Sequence, residues 1–187
     1  MGASRTAPDP LDEPIRMPAH VLYHHWGFVE PVDRMEWVVD VRVDPGTRVG
    51  EYLALLSGSI DGSACYLGLQ TDVSDPSAGR GVGKGLIFST WWSFDDADLR
   101  IAPGGFCERG THEGRFIGVR NTFDWGVGSY LVSLARAGAD RAGGREFDWF
   151  ELTIADDGPH GGGAATLIGA LRFPRRRSGI PARVDPG

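Results

Sequence analysis

SACYLGLQTDVSDPSAGRGVGKGLIFSTWW, residues 63 to 92, decides the fold: two apolar alternating runs are joined by a Gly-rich, charged connection. Ala64, Tyr66, Gly68 and Gln70 alternate with Cys65, Leu67, Leu69 and Thr71, the period of two that a strand imposes on its side chains. The reading is two neighbouring strands, Ala64 to Thr71 and Gly85 to Trp92, ending in the aromatic pair Trp91-Trp92. One face of the first strand is apolar; the other is small and partly polar, a suitable floor for a groove.

The same pattern recurs along the chain. Trp37, Val39, Val41 and Val43 alternate with Val38, Asp40 and Arg42, a strand with one buried and one wet face. Asp44-Pro45-Gly46 then supplies a turn, with Pro at the second position and Gly at the third as a type II turn prefers. Further runs at 52–60, 98–101, 115–121, 129–137, 147–155 and 165–173 are separated by Asp61-Gly62, Pro103-Gly104-Gly105, Gly138 to Gly144 and Asp156 to Gly163. The stretch 129–137 also fits a helical stripe through Leu131, Leu134 and Ala135. It is read as a strand because Tyr130, Val132 and Leu134 alternate after Gly126 and Gly128. About ten short strands with Gly-rich turns predict an all-β antiparallel sandwich of jelly-roll, lectin-like type.

The 187 residues suit one domain, and a chain of this length buries a full core without staples. Residues 1–19, with Pro8, Pro10, Pro14 and Pro18, read as an extended arm, 20–174 as the sandwich and 175–187 as a basic, solvated tail. The tail is also suited to link to something further along. A net charge of −6 argues against nucleic-acid binding, which needs a concentrated positive field. Arg175, Arg176 and Arg177 are the one basic cluster. Arginine outnumbers lysine 18 to 1, a coding bias with no functional weight. No stretch approaches the roughly 20 apolar residues of a membrane span, and the first twenty lack a signal peptide's apolar run. The chain is expected to be cytoplasmic, or secreted if a leader was removed. Cys65 and Cys107 read as free thiols rather than a metal site or a disulfide framework.

Six tryptophans are many for a domain of this size. Within one strand, adjacent Trp91 and Trp92 point to opposite faces, so one of them is expected to be exposed or to line a cleft. An indole on an open sheet face stacks on the apolar face of a pyranose while its N–H finds a partner. Trp91, Trp92, Gln70, Tyr66, His25, Trp26 and Trp125 are therefore the candidate ligand-binding residues. The combination Tyr52, Tyr66-Leu-Gly68-Leu-Gln70, Leu86-Ile-Phe88-Ser89-Thr-Trp91 and Phe123-Asp124-Trp125-Gly126 before Tyr130 resembles an uncharacterised bacterial β-sandwich family, a domain of unknown function with a lectin-like jelly roll. The resemblance covers roughly residues 50–155, with a loose fit at Thr111 to Gly118, and implies the fold more than an activity.

Glu146-Phe-Asp148-Trp-Phe-Glu151 carries the candidate catalytic residues. It is similar to the signature of laminarinase-type retaining glycoside hydrolases, which implies Glu146 as nucleophile, Asp148 as its tuner and Glu151 as acid/base. In that chemistry a bulge brings the flanking carboxyls to about 5–5.5 Å from each other. Only 36 residues follow Glu151, fewer than that family carries after its motif. The same residues also suit a wet strand face with acids outward. Asp95, Asp96 and Asp98 form an acidic loop, the candidate Ca²⁺ site, without the D-x-[DN]-x-[DN]-G pattern; no other cofactor is expected. His24 and His25 fall on opposite strand faces, and His112 with Glu113 has no nucleophile to serve. The preferred reading is a non-catalytic module binding a saccharide or similar polyhydroxylated ligand. A glycoside-active enzyme is the second reading, and a structural module that self-associates into a homo-oligomer is the third.

Overall fold

The computed structural model describes residues 32–47, 50–75, 80–111, 114–158, 163–176 and 184–185. The expected arm, His24, His25, Trp26, His112 and Glu113 lie outside them. In chain order the strands are β1 (Arg34–Val41), β2 (Tyr52–Ile60), β3 (Ser63–Gln70), the two-residue β4 (Ser74–Asp75) and β5 (Arg80–Gly81), β6 (Gly85–Thr90), β7 (Leu99–Ile101), β8 (Phe106–Gly110), β9 (Phe116–Thr122), β10 (Gly128–Ala142), β11 (Arg145–Asp156), β12 (Thr166–Pro174) and β13 (Val184–Asp185). One sheet runs β1-β10-β11-β12-β7 and the other β13-β2-β3-β6-β9-β8, both antiparallel, with β4 and β5 a small separate pair. The two sheets pack face to face, β12 lying over β6 and β9. This is the expected all-β antiparallel sandwich.

Alternation decides what each strand buries. Leu67, Leu69, Leu86, Phe88 and Val119 of one sheet meet Leu134, Phe150, Leu152, Leu171 and Phe173 of the other. At the centre the Phe173 ring lies 6.0 Å from Phe88 across the sandwich and 5.9 Å from Phe150 within its own sheet. All three are fully buried, so truncating any one to Ala is expected to cost about 3–5 kcal/mol. The stretch 129–137 is strand throughout, held in β10 by β1 on one side and β11 on the other.

The turn at Asp44-Pro45-Gly46 forms as its residues dictate. Gly46 takes φ +68°, open only to residues that tolerate the left-handed region, and its N–H donates to Asp44 Oδ1 at 2.7 Å. Lys84, the single lysine, ties this turn to the core: it pairs with Asp44, donates to the Trp125 carbonyl at 2.8 Å and sits 4.9 Å from the Trp125 ring. The Lys84 hydrogen bond, with a second from the Gly46 N–H, holds the Asp44 carboxyl below its ordinary range.

Several elements differ from the sequence reading. β10 runs on to Ala142 through most of the expected Gly138–Gly144 turn, which narrows to Gly143 and Gly144, both at positive φ. β6 stops at Thr90, so Trp91 and Trp92 lie in a bend, where strand alternation no longer fixes their directions. β8 was not expected, because Phe106-Cys-Glu-Arg-Gly110 is too charged to stand out as a strand. The basic tail is not simply solvated: Val184 is fully buried and pairs with Ile60, and Arg175 is held by carboxylates of β11. A strand of two residues offers no period to read.

Both cysteines are free thiols. Burial pushes the Cys65 thiol from 9.0 up to about 12 and raises Cys107 as well, against a backbone hydrogen bond from Gly118. The folded state therefore keeps the Cys65 proton over a range in which the unfolded chain has released it. The stability this contributes is fully present below pH 9 and is lost as pH rises toward 12. Urea melts across this range are expected to fall less steeply for Cys65→Ala than for the parent chain. A thiol reagent at pH 8 should leave Cys65 unlabelled until denaturant is added.

Candidate functional site

The outward face of the six-stranded sheet collects three of the seven candidate ligand residues, Tyr66, Gln70 and Trp91. Tyr66 and Gln70 of β3 point away from the core, opposite the inward Leu67 and Leu69. Register sets Tyr66 against Ser89 and Ser57, Gln70 against Gly85 and Tyr52, and Gly68 against Ile87. β9 continues the same face with Phe116, Gly118 and Arg120. The bend after β6 lays Trp91 along this row, its ring 4.9 Å from Tyr66 and 6.2 Å from Phe116. Tyr52 extends it at 5.4 Å from Tyr66, edge to face, so four rings form a row from β2 across β3 and the bend after β6 to β9.

Small residues let the rings lie low. A Cβ on Gly118 would stand 2.3 Å from Ser89 Oγ, so β6 and β9 carry no bulk there. Beside the rings is a polar group. Arg120 is nearly buried, pairs with Glu108 of β8, and donates from Nη1 to Gln70 Oε1 at 3.2 Å. Burial holds the Arg120 guanidinium below its ordinary range, against the pull of the Tyr66 and Tyr52 oxygens. Because arginine keeps its charge inside proteins, the Glu108 carboxylate offsets that desolvation. The buried Ser89 hydroxyl and Arg120 Nε have no hydrogen-bond partner among the described residues.

The remaining candidates are placed elsewhere. Trp125 is fully buried and donates from Nε1 to the Gly85 carbonyl at 3.3 Å, so it belongs to the core and not to a ligand face. Trp92 diverges from Trp91: it packs against Phe147 at 5.9 Å and donates from Nε1 to the Arg172 carbonyl at 2.8 Å, covering β12 beyond the end of β7.

The three carboxylates of the Glu146–Glu151 motif do not share a cleft. The extra residues that shift its ladders belong to β10 and β12, so β11 itself alternates without a break. Asp148 pairs in register with the core residue Phe173 and is fully buried, whereas Glu151 lies on the opposite face with Trp149. Arg175 grips Asp148 with both ends of its fork, Nε to Oδ2 at 2.7 Å and Nη2 to Oδ1 at 2.8 Å. It also donates to Glu146 at 3.4 Å, and Arg141 donates to the other Glu146 oxygen at 3.2 Å. Acids therefore point inward at this end of the sandwich, and the aromatics Phe147 and Trp149 point outward. Arg172 lies 4.4 Å over Phe147, and Arg100 lies 3.9 Å over Trp149. A shallow hollow of about 480 Å³ beside the motif is lined by Ala139, Asp140, Arg141, Glu146 and Arg175.

The acidic loop is likewise engaged by protein donors. Asp95 caps the short turn at Asp96–Asp98, accepting from Ala97 N at 3.0 Å; Asp96 pairs with Arg109. Asp98 is buried, accepts from Arg172 Nε at 2.7 Å and meets the Ser93 hydroxyl. Burial opposes charge on Arg172, but hydrogen bonds to Asp98 and Asp140 outweigh it and hold the guanidinium above its ordinary range. Among the described residues no group of three His, Cys, Asp or Glu is arranged to hold a metal ion. Comparison of the chain with protein-family models, with curated proteins and with solved structures finds no match.

Tyr52, Arg120, Glu108, Phe116 and Ser89 are not among the site residues the sequence points to. A visible signal for two of them was Phe116-Ile-Gly118-Val-Arg120, in which a glycine separates two large side chains of one face. Since Arg175 covers the buried Asp148 carboxylate, Arg175→Met is expected to destabilise the fold by about 3 kcal/mol. Adding Asp148→Asn should restore much of that loss. Chemical denaturation of the two single variants and the double variant checks it, and additive losses would refute the pairing as the cause.

Proposed function

We propose that this chain is a non-catalytic, lectin-like sandwich of jelly-roll type that binds a saccharide or similar polyhydroxylated ligand on the outward face of its six-stranded sheet. The observation that carries the reading is the row Tyr52, Tyr66, Trp91 and Phe116, each ring touching the next on the outward face of one sheet, from the exposed Tyr52 to the fully buried Phe116. Ring faces in such a row offer apolar area to the C–H side of a pyranose. Gln70, half-buried beside them and backed by the Arg120–Glu108 pair, supplies a planar donor and acceptor. Tyr52 is 38 % exposed and Trp91 and Gln70 are half-buried, so the ligand lies across a platform instead of entering a deep pocket.

A platform without a catalytic carboxylate pair fits binding better than hydrolysis. Glu146 and Glu151 stand on opposite faces of β11, and Glu108 is engaged with Arg120. A glycan array followed by calorimetry on the best ligand tests the reading. Trp91→Ala and Tyr66→Ala are each expected to weaken binding about tenfold, with an unchanged far-UV spectrum and a melting temperature within a few degrees of the parent. EDTA should leave binding unaltered, since Asp95, Asp96 and Asp98 already take protein donors. Absence of binding to every glycan, or binding indifferent to both substitutions, would sink the proposal.

A further inference from the structure

We infer that β1 is a self-association edge, through which two copies of this chain pair antiparallel about a twofold axis at Trp37. β1 ends the five-stranded sheet, and among the described residues no strand pairs with its outer side along Arg34–Val41. The hydrogen-bond phase tells which residues face outward. Arg136 N donates to the Asp33 carbonyl at 2.9 Å, so the odd-numbered residues of β1 are those bonded to β10. Arg34, Glu36, Val38 and Asp40 therefore turn their N–H and C=O groups to the free side. Val32, in the same phase, exchanges both of its hydrogen bonds with Val184, at 3.2 and 2.8 Å. The edge thus already accepts a strand where β13 reaches it, and remains open beyond.

Apart from the charges of Arg34, Glu36 and Asp40, the edge lacks the usual devices against pairing. Its eight residues, RMEWVVDV, hold no proline, glycine or lysine, and the β1–β10 register runs without a bulge. Val38 is 62 % exposed upon it. Charge selects the partner and the register. Pairing two copies with Trp37 opposite Trp37 sets Arg34 against Asp40 twice and Glu36 against Val38 twice, and every paired outward residue meets an outward residue. Sliding by two residues one way puts Glu36 against Glu36. Sliding the other way puts Glu36 against Asp40 and Arg34 against Arg42. Only the Trp37-centred register combines near-full overlap with opposite charges. It also brings the half-buried Met35, Trp37 and Val39 of each copy against those of the other at the rim of the core.

Sedimentation velocity of the full chain over a wide concentration range tests this, with a species of twice the 20.2 kDa chain mass expected. Val38→Pro deletes one outward N–H without touching the bonds to β10, and should weaken the dimer at least about tenfold while near-UV circular dichroism stays native. Arg34→Asp alone should weaken it too, by setting a second carboxylate against Asp40 of the other copy. The doubly reversed chain, Arg34→Asp with Asp40→Arg, should regain it, a rescue that a mere loss of folding would not show. A parent chain that stays monomeric at its highest soluble concentration overturns the inference. So does a dimer indifferent to Val38→Pro, or one not rescued by the double reversal.

Discussion

The contact of Phe173 with Phe88 across the sandwich and with Phe150 beside it is the constraint on which the rest depends. Two sheets stacked about 10 Å apart leave a gap that only large side chains from both layers can fill. Filling it fixes the phase of β6, β11 and β12 together. Because strand side chains have a period of two, a slip of one residue would send every core ring to solvent. All other placements follow from that phase. With Phe88 inward, Ile87 and Ser89 face outward and floor the aromatic platform. With Phe150 inward, Asp148 and Glu146 share its side, and Glu151 cannot.

An inward acid at the end of a sandwich has to be matched, and this requirement explains the C-terminal boundary. Asp148 is fully buried next to Phe173 in register, and a buried carboxylate without a counter-charge is strongly unfavourable. Arg175, two residues after Phe173, falls on the same face by the same period of two and reaches Asp148 with a bidentate fork. The next residue, Arg176, ties to Asp61 and the Gly62 carbonyl at the β2–β3 turn. Arg176 thus links the two sheets at their end, Arg175 satisfies an acid of its own sheet, and the chemistry of both is structural.

What could be read from the residues was whatever follows from alternation. Tyr52–Ile60 is bounded as the pattern predicts, and β3, β6 and β12 differ by a residue or two at their ends. The long β10 was recognisable despite a competing helical stripe. Local periodicity carries no information about a bend, so the divergence of Trp91 and Trp92 was hidden. It carries none about which layer an acid faces either: Glu146-Phe-Asp148-Trp reads identically with acids inward or outward, and the choice is made by Phe150, Phe173 and Arg175 from other parts of the chain. Trp125 was misplaced for the same reason, since its partners Gly85 and Lys84 lie 40 residues away. The aromatic row is half visible in the sequence, because Tyr66 and Gln70 share β3 and Trp91 directly follows the adjacent strand β6. Arg120 and Glu108 join it only through the β8–β9 pairing.

The two sheets treat their outward aromatics in opposite ways, and the contrast bears on function. On the five-stranded sheet, Phe147 and Trp149 lie beneath the guanidiniums of Arg172 and Arg100, and both rings are over 90 % buried. Arg172 is further locked by Asp98 and Asp140, which keeps it in place as a cover. On the six-stranded sheet the aromatic row has its arginine beside it instead of on top, with Arg120 drawn sideways by Glu108 and Gln70. Tyr52 is exposed, and Tyr66 and Trp91 are half-buried. Capping a ring with arginine is an available way to hide outward aromatics, and the chain uses it on Phe147 and Trp149. The proposed ligand would therefore meet the six-stranded sheet at Tyr52, the most exposed ring of the row, with the half-buried Tyr66 and Trp91 beside it.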